Sequence, residues 1–81
     1  MGYSAEIFGR NGKHAVCDES NKGRVLFYCT SFADAHNATR LLESLEDDGE
    51  EQDALLSSWD GDLIDSTQLL AQLLRYGVEY R

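Results

Sequence analysis

Proline is absent from these 81 residues, so no stiff, extended linker divides the chain. Cysteine is scarce: Cys17 and Cys29 are the only two, far below the density that small secreted domains use as staples. Reduced, half-buried thiols in a cytoplasmic protein are the plainer expectation. Long apolar runs are missing, and nothing approaches the roughly 18 residues that mark a membrane span. The opening residues Met1-Gly2-Tyr3-Ser4-Ala5-Glu6 lack a basic segment followed by a long apolar one, so no secretory signal is expected. Glu6 also stands where a myristoylation signal needs Ser or Thr. The most telling absence is of positive charge. Between Leu41 and Leu74 there is no Lys, Arg or His, and ten carboxylates fall in those 34 positions.

What is present is one small domain with its charge split in two. Residues 1–40 carry four acids against five bases, while residues 41–81 carry eleven acids against two bases, Arg75 and Arg81. The halves sum to a net charge of −8. A field of one sign over half a domain bears on partners and solubility, not on fold. A chain of this length buries roughly 60% of the surface its unfolded form exposes, which leaves a thin core and little material for a deep cleft.

Local signals predict an α+β domain: a three- or four-stranded antiparallel meander with two or three helices packed on one face. Tyr3 to Phe8 reads as a strand, Gly9-Arg10-Asn11-Gly12 as a hairpin turn because Asn-Gly tolerates positive φ, and Lys13 to Asp18 as the returning strand. Tyr3, Ala5 and Ile7 then share the core face with His14 and Val16. Arg24 to Cys29 is apolar on both faces after its first residue, which suggests an inner strand covered twice. Ser31 caps a helix whose stripe is Phe32, Ala35, Ala38, Leu42 and Leu45, with Leu41 alongside and Gly49 as its stop. Asp53 is expected to cap a short helix, Ala54 to about Trp59, with Trp59 on the packing face. Asp65 and Gln68 form a capping box flanked by Ile64 and Leu69, and the last helix presents Leu69, Leu70, Leu73 and Leu74 before Gly77 stops it. Val78 to Arg81 could add an edge strand beside the inner one.

Few constellations here carry chemistry. Asp60, Asp62 and Asp65 are close enough to suggest a calcium loop, but the sixth position from Asp60 is Asp65 in place of glycine and the twelfth is Ala71 in place of glutamate. The pattern reads as a turn followed by a cap. His14, Cys17, Cys29 and His36 number enough for tetrahedral zinc, yet there is no Cys-x-x-Cys pair, and His14 and Cys17 alternate to opposite faces of a strand. Nothing local activates either thiol as a nucleophile, and His36 reads as a surface residue. No glycine loop resembles a phosphate cradle, so no cofactor and no metal are expected. The net charge argues against nucleic acid as a direct ligand, and no membrane contact is expected.

The acidic window therefore carries the functional expectation. Acids at a helix C-terminus oppose the dipole, by about 0.3–1 kcal/mol each before screening, so their presence after the first helix asks for a reason outside the fold. Glu43, Glu46, Asp47, Asp48, Glu50, Glu51, Asp53, Asp60 and Asp62, within residues 43–65, are expected to face a basic, nucleic-acid-binding surface of a partner protein, imitating phosphates. Trp59, Tyr76 and Tyr80 lie close to this field as anchors. The function so predicted is binding, not catalysis, by a small cytoplasmic inhibitor or adaptor. In general build (short, acidic, a hairpin and then helices) the chain resembles the small phage-encoded proteins that disarm bacterial defence nucleases, anti-CRISPR proteins among them; the likeness is of type and covers no motif. The alternative is a structural or regulatory subunit that self-associates as a homodimer through the leucine face of the last helix, with the acids only solvating it.

Overall fold

A computed structural model describes residues 2–8 and 13–81, with residues 6–8 described by backbone alone. The order of elements is β1 (Tyr3–Phe8), β2 (Lys13–Asp18), a 3-10 turn (Glu19–Asn21), β3 (Arg24–Cys29), α1 (Phe32–Ser44), α2 (Gly49–Trp59), β4 (Leu63–Ile64) and α3 (Ser66–Tyr76). The domain is α+β, and its sheet runs β1-β2-β3-β4. β1 and β2 pair antiparallel with Tyr3 opposite Asp18 and Ala5 opposite Val16, the register that puts Tyr3, Ala5, His14 and Val16 on one face. The Gly9–Gly12 turn and Arg10 lie outside the described residues. No described helix is long and apolar enough to cross a membrane.

The core forms where α1, α2 and α3 meet one face of the sheet. Val16, Phe27 and Cys29 from the strands pack with Leu41, Leu42 and Leu69 from the helices. Each such large apolar side chain, fully buried, contributes roughly 1.5–3 kcal/mol against the entropy of ordering the chain. Ala35 and Ala38 are wholly buried and let α1 lie close to the strands. Phe32, the first residue of the predicted stripe, is instead 47% exposed. Its ring stands edge to face with His14 of β2, centroids 6.3 Å apart.

β3 is an inner strand, between β2 and β4, but its apolar character has a different cause from the one the sequence suggests. It carries an extra residue, Leu26, opposite the step between Val16 and Cys17. The bulge restarts the alternation, so Leu26 and Phe27 both meet the core. Val25 and Tyr28 stay half-exposed on the other face, where the Lys13 ammonium lies 5.5 Å above the Tyr28 ring.

Two expected boundaries move. α2 begins at Gly49, capped by Asp48, whose carboxylate accepts the Glu51 amide at 3.3 Å; Asp53 is inside the helix and caps nothing. Glu50 and Glu51 thus fall in a first turn, where the dipole favours acids. Gly49 consequently stops no helix. The fourth strand is Leu63–Ile64, parallel to β3, and not Val78 to Arg81. That segment's main chain is held by α1 side chains instead. Asn37, fully buried, spends both amide hydrogens and both oxygen lone pairs: it donates to Ala33 O and Arg81 O, and accepts from Arg40 and the Arg81 amide. Arg40 also donates to Glu79 O at 2.5 Å. On the edge of β3 expected for this strand, β4 already pairs with Tyr28 and Cys29.

Candidate anionic surface

Carboxylates from three separate parts of the chain gather around Tyr3. β1 starts there, antiparallel to β2, which brings Asp18 directly opposite Tyr3. α1 crosses β1 and ends over its first residues, so that a Cβ on Gly2 would come within 3.2 Å of Glu43 Oε2. The turn after α1 then delivers Glu46 and Asp47 to the same place. A depression of about 380 Å³ is lined by Gly2, Tyr3, Asp18, Ser20, Glu46, Asp47 and Gln52. Its floor is fixed by Gln52, whose amide donates to Leu42 O at 2.8 Å and ties α2 to the end of α1.

The electrostatics agree with the geometry. Burial pushes the Tyr3 phenol above its ordinary value, and Asp18, Glu46, Asp53 and Glu43 each push it further in the same direction. Four carboxylates that all disfavour one phenolate share a neighbourhood. Among the described residues the one ion pair within 4.0 Å is Arg75–Glu51, on a different side of α2. Among the described residues, Glu43, Glu46, Asp47 and Asp53 therefore have no Lys, Arg or His side chain within 4.0 Å. Asp18 accepts from the Ser20 amide at 3.0 Å and the Ser20 hydroxyl at 2.7 Å, which holds its carboxylate in place.

A second depression, of about 430 Å³, continues from Asp18 along Asn21, Arg24, Leu26, Leu56 and Ser57 to Asp60. Asp60 is thereby joined to the anionic end, with Arg24 the single base on the path. The remaining predicted acids go elsewhere. Glu51 accepts the Tyr76 hydroxyl at 2.6 Å. That bond is the main reason the Tyr76 phenol lies above its ordinary value; burial adds to it and Arg75 opposes it. Asp48 faces this same α2–α3 side, where it also raises Tyr76. Glu50 and Asp62 are exposed, and no described contact sets them against the others.

Trp59 requires correction. It is 5% exposed and packs edge to face on Phe27, centroids 5.1 Å apart, so it belongs to the core and anchors no partner. Its spacing from Leu55 already puts it on the buried side of α2. Tyr76 is half-buried and engaged by Glu51, while Tyr80 donates to Asp34 at 2.7 Å. The aromatic ring that lies within the anionic surface is Tyr3, which no sequence signal connects with residues 43–65.

Among the described residues the thiols and imidazoles do not gather into one site. Neither cysteine is in a disulfide, and both are buried. Cys29 faces the core opposite His14, while Cys17 pairs with Ser4 and Val25 outside the core cluster. Burial, reinforced by Asp34, pushes the Cys29 thiol up to about 12, which holds it protonated and non-nucleophilic. Among the described residues no group of three or more His, Cys, Asp or Glu could hold a metal ion.

No protein-family model matches the chain, and no curated protein or solved structure matches it.

Proposed function

We propose that this chain is a small, non-enzymatic binding protein, an inhibitor or adaptor that docks its anionic end on a basic, nucleic-acid-binding surface of a partner protein. The observation that supports this most is the gathering of Asp18, Glu43, Glu46, Asp47 and Asp53 around Tyr3, with no ion pair to any of them among the described residues. Like charges brought together raise the free energy of the folded chain, and a cationic surface relieves that repulsion on contact. The partner's basic groove is built for phosphates, so carboxylates presented by a helix end, a turn and a strand compete with the nucleic acid for it. Tyr3 supplies an aromatic contact in the middle of the charge, with few rotamers to lose.

Six carboxylates, counting Asp60, give such docking a steep dependence on salt. By analogy with proteins on DNA, affinity should fall by roughly 10³ between 50 and 200 mM salt. The test separates the gathered acids from the rest of the window. One variant combines D18N, E43Q, E46Q, D47N and D53N; the control combines E50Q and D62N. Capture of a nucleic-acid-handling protein at low salt should be lost with the first variant and kept with the control. Equal capture by both, or capture indifferent to salt and to added nucleic acid, rules the reading out.

A further inference from the structure

The two depressions meet at Asp18 and together form one trough across the end of the sheet. One wall is a single face of α2, where Gln52, Leu56 and the cap residue Asp60 follow at intervals of four. The other wall is made of strand ends in order: Tyr3 of β1, Asp18 of β2, then Arg24 and Leu26 of β3. The two walls agree in length. From Gln52 to Asp60 a helix rises about 12 Å, and the two spacings from β1 to β3 cover about 10 Å. The middle of the lining is apolar, because Leu26 and Leu56 pack on the core with part of their surface left open. The ends are acidic, with Glu46 and Asp47 beside Tyr3 and Asp60 at the far end.

We infer that this trough receives an extended basic segment of the partner, with Lys or Arg at both ends and an apolar residue between them. The inference rests on the docking proposed above and names the element that docks. Shape favours a segment that projects, since a hollow is filled only by something that enters it. Charge decides the ends: four carboxylates line the trough against one base, Arg24. The half-open leucines decide the middle. An extended chain covers roughly 3.3 Å per residue, so about four residues span the trough. Its side chains alternate, which lets the first, third and fifth point inward together. The first lies among Glu46, Asp47 and Asp18, where an arginine also sets its guanidinium on the Tyr3 ring. The third meets Leu26 and Leu56, and the fifth reaches Asp60. The aliphatic stems of the two basic residues add apolar cover. Basic arms of this kind bind nucleic acid, so a protein carrying one fits the proposed class of partner.

Arg24 gives the sharpest test, because it is the exception in the lining. It is exposed and stands opposite Asp18 in the sheet register. A cation entering the trough must share it with this guanidinium. The probe is the peptide Arg-Ser-Leu-Ser-Arg, acetylated and amidated so that its side chains carry its only charges. It is titrated at low salt into the whole, isotopically labelled chain, and the backbone amide resonances are followed by NMR. Those of Asp18, Leu26, Leu56 and Asp60 should shift together and saturate. D18N and D60N should each weaken binding about three-fold, and R24Q should tighten it by about as much. E50Q with D62N should leave it unchanged. Arg-Ser-Ser-Ser-Arg should bind several-fold more weakly, and Glu-Ser-Leu-Ser-Glu not at all. The absence of saturable shifts up to the peptide's solubility limit overturns the inference. So do equal binding of Arg-Ser-Ser-Ser-Arg, the same shifts with spermine, or an R24Q variant that binds no more tightly than wild type. If the peptide fails while the five-carboxylate variant still abolishes capture, the trough inference falls and the docking proposal stands. If the peptide binds as expected while capture ignores that variant, the docking proposal is the one that falls.

Discussion

Asp34 and Glu43, one of the carboxylates gathered around Tyr3, stand on the same helix, at opposite ends and in opposite circumstances. Asp34 is 1% exposed and accepts from three hydroxyls: Tyr80 at 2.7 Å on one oxygen, Ser66 at 2.5 Å and Thr30 at 3.4 Å on the other. It lies in the first turn of α1, where the dipole favours it. Its charge is explained by what it holds together, since Thr30, Ser66 and Tyr80 come from three separate segments. Among the described residues, Glu43, Glu46 and Asp47, at the other end of α1, have no side-chain hydrogen bond or ion pair, and they sit where the dipole opposes them. A carboxylate with internal partners has its reason inside the fold. One without them, in the company of four like charges, has its reason outside.

The first way to break that contrast is to remove Asp34. D34A removes a buried, charged acceptor and with it the three hydrogen bonds from Thr30, Ser66 and Tyr80, which are themselves exposed and can turn to water. We expect a loss of about 3 kcal/mol in urea unfolding. A loss under 1 kcal/mol would mean that water takes over the carboxylate's role, and the distinction drawn between the two ends of α1 would fail. Smaller, but on the same network, Y80F should cost about 1 kcal/mol by removing one bond to a charged acceptor and loosening the 78–81 segment. It should also abolish the high-pH titration of one tyrosine, because donation to Asp34 is what chiefly raises the Tyr80 phenol.

Cys29 tests the buried side by pH. Its folded-state value, about 12, lies above its ordinary value, so the folded chain holds the proton more tightly than the unfolded chain does. The resulting stability is fully present below about pH 9 and is lost as pH rises toward 12, at up to about 1.4 kcal/mol per unit. C29A should flatten part of the alkaline fall in stability measured by denaturant titration, and native Cys29 should resist thiol reagents near pH 8. Rapid labelling of Cys29 in the folded protein would contradict its burial.

Much of this arrangement is legible in the residues, and the exceptions share a cause. The Ser31 cap, the Asp65–Gln68 capping box and the Gly77 stop are local signals three or four residues long, and each forms as the sequence implies. That Tyr3, Ala5, His14 and Val16 share one face follows from alternation alone. α2 begins earlier than the apolar spacing suggests because Glu50, Glu51 and Asp53 carry no hydrophobic period, while both Asp48 and Asp53 are plausible caps. Two residues are too few for Leu63–Ile64 to announce a strand, and their parallel partner is 35 positions away in the chain. The candidate surface was only half visible for the same reason. Residues 43–53 are conspicuous by charge, but Asp18 and Tyr3 join them through sheet pairing and the crossing of α1. The window also overstates the surface. Asp48, Glu50 and Glu51 have local explanations as the cap and first turn of α2, and Trp59 is core.

The smallest expected effect is the sharpest test of the comparison. Neutralising Glu43, Glu46, Asp47 and Asp53 together should leave stability within about 0.5 kcal/mol of wild type or raise it, since among the described residues these side chains have no ion pair or hydrogen bond to lose. The same change should lower the Tyr3 phenol toward its ordinary value without reaching it, because burial, the largest cause, remains. Urea unfolding reads the first part, and ultraviolet titration of the tyrosines, with Y3F to identify the transition, reads the second. An unchanged Tyr3 transition would mean that the four carboxylates are dispersed, and no anionic surface would exist to dock. A loss of 2 kcal/mol would place them with Asp34, as structural groups whose partners lie within the chain. The expected pair of results, a moved phenol and an unmoved fold, marks a cluster whose charge the domain does not need for itself.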